Sequence, residues 1–195
     1  LAPSAGSVKI CGTDLLDNPK QAKSQIGYLP EQPPVYRELT VVEYLRFCAR
    51  INRIARAEIA QAVDRAMQRC GLKSVGHRLI GNLSKGYQQR VGIAQAIIHS
   101  PAIVVLDEPT VGLDPIQIRE IRSLIRELGQ DHGVILSTHI LPEVQMTCDR
   151  VQIIRNGELV YQDTLDNLNQ QTQASSLILG LDREIETSQL AALPN

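Results

Sequence analysis

Asn82-Leu83-Ser84-Lys85-Gly86-Tyr87-Gln88-Gln89-Arg90 is followed by an apolar run, by Leu106-Asp107-Glu108-Pro109-Thr110 and by Gly112-Leu113-Asp114-Pro115. A glycine turn predicts a helix that starts near Gly86 or Tyr87 and runs to His99. Ala102-Ile103-Val104-Val105-Leu106 is continuously apolar and mostly β-branched, the pattern of a strand covered on both faces in a parallel sheet. That strand ends in two adjacent carboxylates. Asp114-Pro115 is a capping residue followed by proline at the first helical position. The helix it opens carries Ile118, Ile121, Ile125 and Leu128 on one face.

Alternation continues on both sides. Downstream, Val134-Ile135-Leu136 reads as the next buried strand, with Ser137-Thr138-His139 at its carboxyl end. A short helix is expected from Pro142 to about Cys148. Val151 to Arg155 and Glu158 to Tyr161 flank Asn156-Gly157, a strong hairpin signal. From Asp163 onward the pattern weakens. Upstream, Thr40-Val41-Val42-Glu43 fits a capping box and opens a helix through Ile51. A second helix is expected from Ala57 to Cys70, closed by Gly71. Ser7 to Cys11 and Ile26 to Leu29 read as strands. The latter runs into Pro30-Glu31-Gln32-Pro33-Pro34, a stiff loop that no central strand or helix interior accommodates. Leu1 to Gly6 reads as a turn-rich loop.

The pattern predicts an α/β domain with a mainly parallel sheet and an all-helical insertion. Its parts are an α/β core at residues 1–39 and 100–164, a helical subdomain at 40–99 and an extension at 165–195. The 195 residues suffice for a core, and the formal net charge of -1 gives no basic field for nucleic acid. Cys11, Cys48, Cys70 and Cys148 lie far apart, which argues against a zinc site and for reduced thiols in a cytosolic protein. No apolar run has a membrane-spanning length.

In open α/β sheets, ligands bind at the carboxyl ends of strands, where Asp107, Glu108 and His139 are all expected. A carboxylate there is suited to Mg2+, which keeps oxygen ligands and several waters. A second one, a residue on, can polarise an attacking water. An isolated Asp-Glu is more often an ordinary loop pair. Here the pair follows five apolar residues and precedes Pro109-Thr110, which favours chemistry. Ser84 and Gly86 at a helix N-terminus make an anion site through free N–H groups and the helix dipole. Taken alone they also suit a plain helix start, with Gln88-Gln89-Arg90 as a solvated face. A lone His139 is more often structural, and Gln32 is on its own an exposed loop residue.

Together, and in this order, these pieces resemble the motifs of ABC-type ATPases, the nucleotide-binding subunits of ABC transporters. Gln32 resembles the Q-loop glutamine. Leu83-Ser84-Lys85-Gly86-Tyr87 resembles the signature, normally Leu-Ser-Gly-Gly-Gln, with Lys85 and Tyr87 departing from it. Ile103 to Glu108 resembles Walker B, Gly112 to Pro115 the D-loop, and His139 the H-loop. The resemblance covers about Leu1 to Thr164, and its Gln-Pro-Pro and Lys-Gly-Tyr details are most similar to ABC-2-type exporters.

It implies a P-loop NTPase-like fold and ATP and Mg2+ as cofactors. Glu108, His139 and Gln32 would be catalytic. Asp107 and Gln32 would serve the metal. Ser84, Lys85, Gly86, Tyr87, Gln88 and Asp114 would serve nucleotide at a subunit interface. A second ATP-binding subunit, alike or different, and a transmembrane permease subunit are the implied partners. Nucleic acid is not one of them. The implied place is the cytoplasm, at the inner face of the cell membrane.

No G-x-x-x-x-G-K-[ST] occurs in these residues. With no initiating Met, this makes an N-terminal truncation the expectation. The chain by itself is then expected to bind ATP weakly and to hydrolyse it negligibly; sub-micromolar affinity in calorimetry would contradict that. A non-transport ABC ATPase and a non-catalytic fragment are the alternatives.

Overall fold

The computed structural model describes residue 3 and residues 5–174, so Leu1, Ala2 and Ser4 of the expected N-terminal loop, and the extension beyond 174, lie outside the described residues. The chain divides into two compact units, Leu1–Cys148 and Asp149–Asn195.

In the first unit, β1 (Lys9–Ile10) and β2 (Thr13–Asp14) form a small antiparallel hairpin. Its turn is Cys11-Gly12, with φ of 49° and 78°. The expected strand from Ser7 to Cys11 is thus shorter than its alternation suggested. Gly12 does not merely end it but supplies the second left-handed position of a tight reversal. Then come α1 (Pro19–Lys23) and β3 (Ile26–Leu29). Three helices follow, α2 (Val41–Ile51), α3 (Ile59–Arg69) and α4 (Lys85–Ile97), with 3-10 turns at Lys73–Val75 and Ile80–Asn82 between the last two. β4 (Ile103–Asp107), α5 (Pro115–Leu128), β5 (Gly133–Ser137) and α6 (Leu141–Thr147) complete the unit.

β3, β4 and β5 form a parallel sheet in that order. Gly27 pairs with Val104 and Val104 with Val134; Leu29 pairs with Leu106 and Leu106 with Leu136. Because side chains alternate along each strand, these six residues share one face. Val104, Leu106 and Leu29 are fully buried there, in one core with the helical residues. The other face carries Tyr28, Val105 and Ile135. Tyr28 is 51% and Ile135 57% exposed. This corrects two expectations. β4 is not covered on both faces, and β5 is not a buried strand. The described sheet is three strands wide, β5 is its edge, and α2, α3, α4 and α5 share a core with its buried face.

α4 lies directly on β3. A Cβ at Gly27 would collide with the Ala96 carbonyl, and one at Gly92 would meet Leu29 and Pro33. That close approach explains why α4 is buried nearly all round, at Val91, Gly92, Ile93, Ala94, Ala96 and Ile97. α2 starts as its sequence predicts. Thr40 N–H donates to the Glu43 carboxylate at 2.9 Å, and Glu43 N–H donates to the Thr40 hydroxyl at 3.3 Å. Bonds to the Thr40 hydroxyl and backbone hold the Glu43 carboxyl below its ordinary pKa. Gly71 takes the left-handed position after α3, with φ of 65°. There the Arg90 guanidinium of α4 donates to Cys70 O at 3.2 Å and pairs with Glu120 of α5 at 2.7 Å.

In the second unit, β6 (Arg150–Arg155) and β7 (Glu158–Thr164) form an antiparallel hairpin turning at Asn156 and Gly157, with φ of 53° and 81°. α7 (Leu165–Ala174) follows, where the pattern had weakened. Its signal was Thr164, whose hydroxyl accepts from Asn167 N–H at 3.4 Å.

Candidate functional site

The carboxyl edge of the parallel sheet is where chemistry gathers. Asp107 is the last residue of β4, and its register partner Ser137 is the last of β5. The next residue, Glu108, has φ of 44°, a left-handed conformation uncommon for a non-glycine residue. Its N–H donates to Ser137 O at 2.9 Å, which fixes the turn to the neighbouring strand. His139, two residues past β5, meets it. His139 N–H and ring Nδ1 lie 3.1 and 2.7 Å from Glu108 Oε1. A carboxylate only accepts, so Nδ1 carries the hydrogen. The hydrogen bond to Glu108, and then its negative charge, raise the His139 pKa above its ordinary value. Glu108 Oε2 is buried and finds no donor among the described residues. Such orphaned polar atoms are rare in folded proteins.

Gln32 leaves the same edge. It lies three residues past Leu29, whose partner is Leu106, and it is exposed. Its loop is anchored by Tyr44 of α2, whose hydroxyl donates to Pro34 O at 3.0 Å.

The second group of candidates surrounds the start of α4. Ser84 is its N-cap, accepting from Tyr87 N–H at 3.4 Å. Ser84, Lys85 and Tyr87 are exposed, while Gly86 is buried. The Gln88 amide turns inward and donates to Ile80 O at 3.1 Å and Leu83 O at 3.0 Å, shaping the turn before the helix. Asp114 caps α5, its Oδ1 accepting from Ile116 N–H and Gln117 N–H at 2.9 Å each. The structure brings these two helix starts together. A Cβ at Gly86 would run into the Gln117 side chain, and one at Gly112 into the Lys85 ammonium. Gly112 also has φ of 70°. Glycine at both positions lets the two loops close on each other.

Sequence reasoning passed over Gln117, Arg122 and Glu143. A buried acid on a short helix leaves no signal in composition, since charged residues are usually exposed. Among the described residues no group of three or more His, Cys, Asp or Glu converges as a metal cage. Asp107 keeps a carboxylate without a hydrogen-bond partner among them, which suits Mg2+ held mainly by water and ligand oxygens. Among the described residues no helix is long and apolar enough to cross a membrane.

The profile of the ABC transporter family matches residues 1–111. The chain is 34% identical to the uncharacterized ABC transporter ATP-binding protein YxlF of Bacillus subtilis, over 95% of this chain and 61% of that protein. It is 35% identical to the ABC transporter ATP-binding protein NatA of the same species, over 91% and 73%. With the bacitracin transport ATP-binding protein BcrA of Bacillus licheniformis it shares 36% identity, over 89% and 56%. Against YxlF and BcrA the chain therefore spans less than two thirds of the relative's length. A solved ATP-binding subunit of an ABC transporter superposes with a TM-score of 0.73 at 32% identity, covering 88% of this chain and 72% of that one. CbiO1 of Clostridium perfringens, part of the transporter complex CbiONQ, gives 0.80 at 26% identity, covering 89% and 72%. The fold is that of the ABC ATPases, and the chain belongs to the ABC transporter family of ATP-binding proteins.

Proposed function

We propose that these residues form the hydrolytic and signature parts of an ABC transporter's ATP-hydrolysing subunit. The observation that carries the reading is the Glu108–His139 pair beside Asp107 at the carboxyl edge of a parallel sheet. Glu108 polarises the attacking water through Oε2, the oxygen that has no donor among the described residues. His139 holds the other oxygen and, once protonated, offsets its charge. Asp107, with Gln32, serves Mg2+, which when bound neutralises developing phosphate charge. Ser84, Lys85, Gly86, Tyr87 and Gln88 serve nucleotide held by a second ATP-binding subunit, with Asp114 at that interface. The amides heading α4 support this, since a helix start favours phosphate.

On this reading residues 1–39 and 100–164 are the ATPase core, 165–195 an extension, and 40–99 the subdomain that acts on a transmembrane permease. The exposed Tyr36 and Phe47 rings, 5.3 Å apart beside the Gln32 loop, supply an apolar surface for such a partner. Similarity to bacitracin transport proteins favours export and a place at the inner face of the membrane.

The test is Glu108→Gln, read as steady-state turnover against a parent that hydrolyses ATP. Turnover should fall by about a hundredfold or more, because a general base contributes that much. ATP binding should persist, since Glu108 is assigned to water and not to phosphate. Steady-state hydrolysis near the parent rate would overturn the assignment.

A further inference from the structure

We infer that Glu143 is a positioning residue, whose buried carboxylate ties the loop after Glu108 to the loop bearing His139 and so sets the geometry of that pair. The inference rests on the proposed function for its meaning, but the ties themselves do not.

Glu143, in the first turn of α6, is 1% exposed. A carboxylate in such a place is costly unless donors surround it. Three side chains from three segments do. The Thr110 hydroxyl donates to Oε1. The Arg122 guanidinium of α5 donates to the same oxygen at 3.3 Å. The Thr138 hydroxyl donates to Oε2 at 3.2 Å. Thr110 lies two residues after Glu108, and Thr138 immediately before His139. Since His139 in turn donates to Glu108, the contacts close a ring: Glu108, Thr110, Glu143, Thr138, His139 and back to Glu108.

Two features give that ring a task. The backbone of Glu108 is left-handed, a conformation that persists only where its surroundings over-determine it. Holding Thr110 limits how far the Glu108 turn can relax. On the other side, the Thr138 oxygen also accepts from Ile140 N–H at 3.2 Å, which forms the turn that aims His139. Arg122 brings a guanidinium to the buried carboxylate, a partner without which burying such a group is costly. Leucine would fill the space of Glu143 but leave two hydroxyls and a guanidinium without their acceptor.

Amide hydrogen exchange on the 195-residue chain tests this directly. In Glu143→Leu the amides of Glu108, Val111, His139 and Ile140 should exchange about tenfold faster or more, through local opening, while those of α4 and β4 are unchanged. Glu143→Gln keeps an oxygen for Arg122 and Thr110 and should restore most of the protection. If every amide speeds up together, Glu143 merely stabilises the fold, and the inference fails; it fails equally if none changes. Should Glu143→Leu not fold, Thr110→Val keeps the carboxylate and reads the same amides. In ATPase assays Glu143→Leu should lower kcat and leave the KM for ATP nearly unchanged, and the reverse pattern would overturn the assignment. A parent protein without ATPase activity would overturn the proposed function, and the exchange result would still decide the ring.

Discussion

His139 is exposed, yet it is the histidine whose protonation matters most to the site. Its pKa is raised first by the hydrogen bond to Glu108 and then by that residue's charge. The sign follows. A folded-state pKa above the unfolded value means that the pair's stabilisation is complete below the ordinary value of 6.5 and is lost as pH rises through the raised one. The expected outcome is a His139 ring titration, followed by NMR, with a midpoint above that of an ordinary histidine. In Glu108→Gln the midpoint should drop back toward 6.5. An unchanged midpoint would show that the two side chains are not paired in solution. His99 moves the other way. Burial lowers its pKa, and its ring Nε2, 3.2 Å from Ile26 O, serves packing rather than chemistry.

At the scale of elements, α4 packs on β3 so closely that no Cβ fits at the contact. Gly27 and Gly92 are small because backbone and side chains of the facing element occupy the space a Cβ would need. Gly27→Ala should therefore destabilise the chain by about 1–3 kcal/mol, the usual cost of overpacking, and lower its thermal midpoint by several degrees. A midpoint equal to the parent's would mean that α4 can slide off the strand freely. Elements with strong local signals were legible. The Thr40-x-x-Glu43 box, the Asp114-Pro115 start and the Asn156-Gly157 turn each specify their backbone within four residues, and each forms as its chemistry dictates. β4 and β5 were placed correctly, but their exposure was not, because apolar β-branched runs look alike whether one face is covered or two. At the site, Asp107, Glu108 and His139 were legible as residues at strand ends. Their mutual bond was not, since 31 positions separate Glu108 from His139 and only the β4–β5 register joins them. Glu143 and Arg122 left no trace in the sequence, since burial of a paired charge is a tertiary event.

Across the whole molecule, the four thiols divide by depth. Cys11 is exposed at a hairpin turn and Cys148 half-buried, whereas Cys48 and Cys70 lie in the core. Burial pushes the Cys48 thiol up to about 11 and the Cys70 thiol up to about 12. The thiolate is the reactive form, so iodoacetamide near pH 8 should modify Cys11 first and leave Cys48 and Cys70 intact until denaturant is added. Native labelling of Cys70, read by mass spectrometry, would contradict the packing of α3 against α4. The sheet itself has a consequence in time. β3 pairs in register with β4, Ile26 beside Ile103, although the three helices lie between them in sequence. Closing a loop of about seventy residues costs roughly 4 kcal/mol in chain entropy before the strands reward it. During synthesis β3 emerges first and must wait, with Tyr28 and Leu29 unpaired, until about seventy further residues have been made, several seconds at ordinary elongation rates. The helices between have local contacts and fold fast, so the late event is the arrival of β4. The strand that delivers Asp107 and Glu108 is thus the one that joins β3 to β5, and a chain unable to seat it would lose its sheet and its carboxylate edge in the same step.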